Sequence, residues 1–465
     1  MLDRETIGVL GLAFLFLLLI LRVPVGLAMV GVGIGGNYAL SIVAPYLRFE
    51  PYLKQFKTLT WGTMANYELS VVPLFVLMGY LASHANLSRD LFQGFNAAVG
   101  RFRGGVAMAA IGACAGFGAV CGSSLATAST MGKVALPELK RLNYAPKLAT
   151  GTLAAGGTLG ILIPPSVALV IYAVIVEASI IEMFQAAIIP GLIAVAFFVG
   201  LIAFMVRRNP ALAPNTSDLT REQKREAYAR LLPVILIFGS IILGLGMGLF
   251  TPTPAAGVGA TIILLYGLFL RWKTGSEGLD MAGFKASILE TAVTTGMIFF
   301  ILFGAEVLKG FFARAGLPAA MAAFATESGL DPWLILVIIL GIFIILGCFM
   351  DSLAMILVVV PFFWPSLVEL NGGDYAVADT AAYGMGTEDL KIWFGIVALV
   401  VVELGLITPP VGLNVFIISA MARGIAMKEV FVGVMPFFGI EIVRIGLLLL
   451  LPALTLFLPH LLSGN

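Results

Sequence analysis

The chain is poor in charged residues, in cysteine and in histidine. Only 11% of its 465 residues are Asp, Glu, Lys or Arg. Its three cysteines and two histidines show none of the spacings that form zinc, haem or iron–sulfur sites. The formal net charge of +1 leaves no basic stripe to neutralise nucleic-acid phosphates. These absences argue against a transition-metal protein and against a nucleic-acid-binding protein.

Apolar sequence fills almost the whole length of the chain. Hydrophobic residues make up 60% of it and its mean hydropathy is +1.05, whereas soluble proteins average about 25% charged residues. The only long polar stretches are 207–230 and 369–391. The first apolar run, 7–21, lacks a small-residue cleavage site after it, so we interpret it as a retained helix and not as a signal peptide. The composition predicts an all-α, polytopic protein embedded in membrane lipid.

Two apolar segments carry nearly the same proline-containing motif, GILIPPSVALVIY at 160–172 and GLITPPVGLNVFI at 405–417. Proline removes its own N–H and forces the preceding residue out of helical geometry, so each Pro-Pro pair should open a helix within the bilayer. Backbone groups freed at that depth must be paired or must line a cavity or an ion site. We therefore predict a first broken helix at about 148–176 and a second at about 392–421. Matching interrupted segments of this kind are typical of secondary transporters.

The repeat extends upstream of the prolines. Ser124 and Pro137 align with Ser352 and Pro365 at a constant offset, and an insertion in the second copy coincides with its polar stretch. Each of these segments has small or polar residues at its centre, and its apolar arms are too short for two full spans of about 20 residues. They predict two re-entrant helical hairpins, at about 104–141 and about 332–366, with tips at 121–124 and 350–352.

Charge placement predicts that the two repeats are inverted. Lysines and arginines cluster around the first hairpin and in the segment 209–230, which the positive-inside rule places in the cytoplasm as a connecting loop. Acidic residues flank the second hairpin, so its base should be external. The first repeat then covers 1–208 and the second covers 231–465. Inverted repeats place their shared site near the middle of the bilayer.

Five motifs in order resemble the large membrane subunit of tripartite ATP-independent periplasmic (TRAP) transporters. They are GSSLATA at 122–128, the segment 160–191, TPTPAA at 251–256, FMDSLAMILVVVP at 349–361 and GLITPPVGLNVF at 405–416. The resemblance covers essentially the whole chain. It implies a multi-pass protein of the bacterial inner membrane, an Na⁺-coupled importer of organic acids without an organic cofactor. It also implies an elevator-type transport domain on a scaffold domain, a separate small membrane subunit and a periplasmic solute-binding protein.

Two positions depart from the pattern of this family. Pro254 stands where many members have a glutamate, and Val401 stands where some have an asparagine. Any role of those two side chains is therefore absent or in doubt here.

The implied coupling ion needs oxygen ligands, which Ser, Thr and Asp side chains and the carbonyls of unwound helices supply. Two candidate sodium sites follow, each joining a hairpin tip to a broken helix: Ser123 and Ser124 with the carbonyls of Gly157, Ile161 and Ile163, and Asp351 and Ser352 with Thr408. The serines are also small enough to serve only close helix packing. A carboxylate at the depth of Asp351 costs about 2.5–3.5 kcal/mol on insertion scales, so it needs a partner such as a cation.

Candidate substrate-binding residues lie at the two breaks, where helix N-termini favour anions. They are Pro164, Pro165, Ser166, Pro409, Pro410 and Asn414. These groups suit a carboxylate but do not distinguish C4-dicarboxylates, oxo acids and sugar acids.

Three further intramembrane charges allow more than one interpretation. Glu441 and Arg444 are three residues apart on one helix, and a structural ion pair is favoured over contact between Arg444 and a substrate carboxylate. Glu403 either carries a proton or a cation, or it reaches Lys391 or solvent.

Alternative functions also remain at this point. A stand-alone sodium/carboxylate symporter would share the architecture without needing a binding protein, and an anion channel is a weaker alternative. An enzyme is not expected, because both histidines lie outside the hairpins and broken helices.

Overall fold

The protein is described here by a computed structural model that covers residues 3–21 and 23–463. Its regular structure in those residues is helical. The first half contains α1 Arg4–Ile20, α2 Val25–Val43, α3 Phe49–Met64, α4 Val71–His84, α5 Leu87–Val99, α6 Gly105–Cys121, α7 Ser124–Arg141, α8 Pro146–Gly157, α9 Leu159–Leu162, α10 Val167–Val176 and α11 Ile180–Arg208.

The second half contains α12 Arg221–Gly246, α13 Pro252–Thr274, α14 Met281–Ala315, α15 Leu317–Glu327, α16 Pro332–Gly347, α17 Ser352–Asn371, α18 Thr387–Gly405, α19 Leu413–Met421, α20 Met427–Leu450 and α21 Ala453–Ser463. Seven of the described helices are long and apolar enough to cross a membrane, and two further bent helix pairs pass the same test together. The chain is therefore an all-α polytopic membrane protein.

Many helices begin where a side chain caps the free N–H groups of the first turn. Ser123 accepts a hydrogen bond from Ala126 N at the start of α7, and Asp280 accepts one from Gly283 N at the start of α14. Thr220 and Gln223 form a reciprocal capping box at the start of α12. Because of this cap, α12 begins at Arg221, and the predicted connecting loop 209–230 is wrong for its last part.

Each repeat contains one hairpin and one broken helix. The first hairpin is α6–α7, and its tip, residues 121–124, includes Gly122 in the left-handed region. The second hairpin is α16–α17, and its tip, residues 348–352, opens two residues earlier than predicted. The first broken helix is α8–α9–α10 and the second is α18–α19; both Pro-Pro bonds at the breaks are cis.

Each hairpin tip packs on the break of its own repeat. A Cβ atom on Gly122 would lie 3.1 Å from the backbone nitrogen of Val167, just after the first break. In the second repeat, Gly412 N donates a hydrogen bond to Cys348 O at 3.3 Å. Close backbone approach of this kind requires small residues, as membrane helix contacts generally do.

The tips of the two hairpins meet at one side chain. Ser124 and Ser352, one in each tip, contact the same side chain, Glu403. At the base of the first hairpin, Lys140 Nζ donates to Arg423 O at 3.4 Å. At the base of the second, Asn371 Nδ2 donates to Met385 O at 3.0 Å. The tips therefore meet, whereas the bases contact different parts of the chain.

The remaining helices surround these elements. Helix α14 packs along α2 and α4, α13 packs on α4, and α12 packs on α5. The broken helices are among the most buried elements: every residue of α18 from Ile392 to Gly405 is buried. The centre of the molecule is thus formed by the segments that the repeat predicts to be functional.

Candidate functional site

The carboxylate of Glu403 lies between the two hairpin tips. Its side chain is 1% exposed. Ser124 Oγ donates a hydrogen bond to Oε2 at 2.5 Å, and Ser352 Oγ donates one to Oε1 at 2.6 Å. Both carboxylate oxygens are therefore occupied, each by a hydroxyl from a different repeat.

Two helix N-termini also face this carboxylate. Ser124 is the first residue of α7 and Ser352 is the first residue of α17. Because the N-terminus of a helix favours negative charge, both helices stabilise an anion here. Within residues 3–21 and 23–463, Glu403 forms no ion pair, so hydroxyls and helix ends take the place of a basic partner.

This geometry decides part of what the sequence left open for Glu403. Lys391 Nζ instead contacts Glu388 Oε1 at 2.7 Å and Glu177 O at 3.4 Å. The interpretation in which Glu403 reaches Lys391 or solvent is wrong, because α18 carries its side chain into the buried centre. Carrying a proton or serving a cation both remain open.

The first tip brings several oxygens against the first broken helix. A Cβ atom on Gly160 would lie 2.8 Å from Ser123 O and 2.5 Å from Thr127 Oγ1. Thr127 is fully buried, and its hydroxyl has no hydrogen-bond partner in the described part of the chain. An unsatisfied buried oxygen is costly unless a ligand completes it.

Thr127 was missed from the sequence, although a signal was present. It lies one helical turn after Ser123 and Ser124, on the same face of α7. The carbonyl groups predicted to bind sodium lie nearby in the first broken helix: Gly157 ends α8, Ile161 lies in α9 and Ile163 lies in the break.

The second tip presents Asp351 just before α17. Asp351 takes the N-cap position with extended backbone, and it lines the central cavity described below. Thr408 is less available than predicted, because it lies in the break after α18 and its hydroxyl donates to Leu404 O of α18 at 2.6 Å. The structure brings Ser352 to Glu403 but shows no contact between Thr408 and Asp351.

Asn414 joins the two broken helices. Its Nδ2 donates to Ala154 O at 3.3 Å, and its backbone N–H donates to Leu406 O at 3.1 Å. Its Oδ1 is buried and has no partner among the described residues. A Cβ atom on Gly157 would lie 2.9 Å from Asn414 Nδ2. Asn414 therefore lies beside the first candidate sodium site and outside the central cavity.

The two Pro-Pro pairs have different surroundings. Pro164 and Pro165 are buried, whereas Pro409 and Pro410 are exposed. Ser166 is fully buried, and its Oγ accepts a hydrogen bond from Leu169 N at 3.5 Å as the cap of α10. The sequence repeat did not predict this difference, because burial depends on the packing of distant helices.

A central cavity of about 680 Å³ lies between the hairpin tips and the surrounding helices. Both tips line it together with residues of α2, α4 and α14. Its walls are mainly apolar, and its polar lining residues are Tyr80, Ser123, Thr294 and Asp351. Tyr80 Oη and Thr294 Oγ1 are 2.8 Å apart. Neither residue lies in a hairpin or in a broken helix, so the repeated motifs did not indicate them.

Glu441 and Arg444 form a buried ion pair on α20. Arg444 Nε donates to Glu441 Oε2 at 2.9 Å, and both side chains are 2% exposed. Arg444 Nη1 also donates to Pro190 O on α11 at 3.3 Å. The predicted structural pairing is confirmed, and it fixes α20 against α11.

The sequence matches a family model described as "Tripartite ATP-independent periplasmic transporter, DctM component" over residues 12–454. The C4-dicarboxylate TRAP transporter large permease protein DctM of Pseudomonas aeruginosa is 33% identical over 400 residues, covering 86% of this chain and 87% of that protein. The sialic acid TRAP transporter large permease protein SiaM of Vibrio cholerae is 31% identical over 407 residues, with 87% and 88% covered.

A longer relative and a solved structure are also similar. The isethionate TRAP transporter permease protein DctMQ of Oleidesulfovibrio alaskensis is 26% identical over 403 residues, which cover 86% of this chain and 59% of that protein. The crystal structure of the Alcanivorax borkumensis YdaH transporter superposes with a TM-score of 0.58 at 14% identity, covering 96% of this chain and 98% of that one. The latter likeness concerns the fold alone.

Proposed function

Because the chain belongs to the DctM-component family of tripartite ATP-independent periplasmic transporters, we propose that it is the large permease subunit of a sodium-coupled importer of organic acids. The family comprises transporters and not enzymes, and the chain is a multi-pass protein of the inner membrane. The observation that carries the proposal is the convergence of both hairpin tips on one buried centre beside a cavity.

The central cavity supports a small organic anion as the substrate. Its volume of about 680 Å³ lies within the usual range of roughly 300–1,000 Å³ for small-molecule sites. Tyr80 and Thr294 offer hydroxyls to orient a carboxylate. The relatives named for C4-dicarboxylate, sialic acid and isethionate differ in substrate size but share an anionic group. An organic acid is therefore the proposed class.

The oxygens of the first tip support sodium coupling. Ser123 O and Thr127 Oγ1 meet the glycine-containing backbone of α9, and Thr127 Oγ1 has no partner in the part of the chain that is described. Sodium is a hard cation that takes such hydroxyl and carbonyl ligands. At the second tip, Asp351 supplies a negative charge at a helix N-terminus, where a cation beside it offsets the cost of burying the carboxylate.

The position of the cavity supports an elevator movement. Two groups of elements line it, the hairpins with the first broken helix and α2, α4 and α14. We assign the first group to the transport domain and the second group to the scaffold. Sliding of one group along the other would carry a bound anion across the membrane while the tips keep their contacts with the breaks.

Two partners are proposed with this function, a separate small membrane subunit and a periplasmic solute-binding protein. The external base of the second hairpin is acidic, with Asp374, Asp379 and Glu388 exposed there. Tyr375 is 97% exposed beside them. A binding protein that docks on this surface would carry complementary basic residues.

Reconstitution into liposomes tests the proposal. Uptake of a C4-dicarboxylate, a sialic acid and an oxo acid would be measured with and without an inward sodium gradient, and with and without the binding protein and the small subunit. We expect uptake of one class only when the sodium gradient and both partners are present. Uptake that is independent of the binding protein would favour a stand-alone symporter, and uptake without a sodium gradient would contradict sodium coupling.

A further inference from the structure

We infer that Glu403 is a positioning residue that orients the hydroxyls of both hairpin tips towards the coupling ions and thereby couples the two tips to each other. The inference rests on the proposed sodium-coupled function. It starts from one observation: the two oxygens of a single carboxylate each accept a hydrogen bond from the corresponding serine of a different repeat.

The direction of these hydrogen bonds fixes where the serine lone pairs point. A serine hydroxyl has one proton and two lone pairs. An ionised carboxylate only accepts, so Ser124 and Ser352 both direct their protons at Glu403 and their lone pairs away from it. A hydroxyl held in this way presents its oxygen to a cation with its orientation already set. Metal ligands are oriented by hydrogen-bonded carboxylates in the same manner.

The groups around the carboxylate approach it as hydrogen-bond donors. The N-termini of α7 and α17 both face it, and each of its oxygens accepts a short hydrogen bond from a hydroxyl. The side chain extends from α18, in which every residue from Ile392 to Gly405 is buried. Because the backbone of α18 is held in place, a tip that shifts turns the shared carboxylate. That changes the hydrogen bond available to the other tip.

Only one carboxylate occupies this place in the two repeats. The proline motifs align Glu403 with Thr158 of the first repeat, whose hydroxyl donates to Ala155 O at 2.6 Å within its own helix turn. Thr158 thus makes no equivalent bridge through its hydroxyl. Of these two aligned residues, only Glu403 couples the tips.

A sodium titration of uptake tests the inference in the reconstituted complex. Glu403→Gln keeps the size of the side chain, but its amide has one acceptor oxygen and a donor nitrogen, so one serine must reverse its hydrogen bond. We expect the sodium concentration for half-maximal uptake to rise about tenfold or more and the Hill coefficient for sodium to fall towards one. Glu222→Gln, which removes an exposed carboxylate in the first turn of α12, is the matched control and should change neither value.

A double-mutant cycle distinguishes coupling from mere packing. Ser124→Ala and Ser352→Ala should each raise the half-saturating sodium concentration, and together they should raise it by less than the product of the single effects. In the Glu403→Gln background the two serine effects should become independent. An unchanged sodium titration in Glu403→Gln, or strictly multiplicative serine effects in the native background, would overturn the inference.

Two possible outcomes of these experiments call for a separate measurement. If Glu403→Gln fails to insert, the serine cycle in the native background decides between the same two outcomes. If wild-type uptake shows no sodium dependence, the sodium coupling in the proposed function is contradicted. Thermal unfolding of the four serine-cycle proteins in detergent then tests the coupling: non-additive melting temperatures support it and additive ones overturn it.

Discussion

Ser124 and Ser352 occupy the same place in two inverted repeats and donate their hydroxyl protons to the two oxygens of one carboxylate. They are the first residues of α7 and α17, so the two hairpins meet helix end to helix end. A pair of sequence-identical positions is thus brought together by a residue that has no counterpart of its kind in the first repeat.

Replacing Asp351 by asparagine should abolish sodium-coupled uptake while leaving expression intact. The substitution keeps the size of the side chain and removes the negative charge that faces a cation at the second tip. Sodium-driven uptake into liposomes measures the effect. Asp218→Asn, at an exposed position on the connecting segment, is the control. Uptake that stays sodium-dependent at the wild-type rate would show that Asp351 is not a coupling residue.

Replacing Tyr80 by phenylalanine should weaken substrate binding without changing the sodium dependence. Tyr80 lines the central cavity and its hydroxyl lies 2.8 Å from Thr294 Oγ1. Loss of one hydrogen bond to a charged ligand costs about 1.5–3 kcal/mol, which corresponds to roughly a tenfold to hundredfold rise in KM. Initial rates at varied substrate and at varied sodium separate the two effects. An unchanged KM would place the substrate elsewhere.

Two glycines on α20 should respond in opposite ways to alanine. A Cβ atom on Gly433 would lie 1.9 Å from Lys147 O, whereas one on Gly439 would meet nothing within 4 Å. Gly433→Ala should force α20 away from α8 and destabilise the protein by about 1–3 kcal/mol. Gly439→Ala should be neutral or stabilise by up to about 1 kcal/mol. Melting temperatures in detergent test this, and equal values would contradict the packing of α20 on α8.

Stability should depend on pH through Asp90, which lies on α5 outside the membrane spans. Burial raises the pKa of Asp90 from 3.8 to about 6, and the guanidinium of Arg230, 3.9 Å away, offsets this only in part. Between pH 3.8 and about pH 6 the folded protein therefore binds a proton at Asp90, whereas the unfolded chain does not. This contribution stabilises the fold as the pH falls through 6, and the cost of the buried charge is complete above pH 7.

Asp90→Asn should accordingly raise the melting temperature at pH 8, with a gain that shrinks towards pH 4. The neutral amide avoids the cost of burying the charge, and Arg230 keeps Glu226 and Glu277 as partners. Asp218→Asn, at an exposed position on the connecting segment, is the control. A gain of the same size at both pH values would show that the charge of Asp90 is not responsible.

The acidic surface at the base of the second hairpin should determine how well the binding protein docks. Asp374→Asn combined with Asp379→Asn should raise the concentration of binding protein needed for half-maximal uptake severalfold, more at low salt than at high salt. Uptake at saturating binding protein should not change. If the required concentration is the same with and without the two carboxylates, docking occurs on a different surface.

The sequence predicted the elements of the centre better than their contacts. Proline chemistry and helix length located both hairpins and both broken helices, because these effects act within a few residues. Glu403 lies 279 positions from Ser124 and 51 positions from Ser352 in the sequence, so no local pattern indicates that it bridges them. Thr408 shows the converse: its type fits a sodium ligand, yet its hydroxyl donates its proton to Leu404 O in the preceding helix.

The difference between Glu403 and Thr158 has a consequence for how such a duplicated chain diverges. Most residues of two inverted copies lie far from the aligned residue of the other copy, so the two can be substituted independently. Ser124 and Ser352 are counterparts that do meet, at one carboxylate. A second carboxylate within a few ångströms of Glu403 would not ionise together with it, so an exact repetition of this acid at the junction would leave one of the two protonated. Asymmetry at this pair of residues leaves one carboxylate to serve both tips.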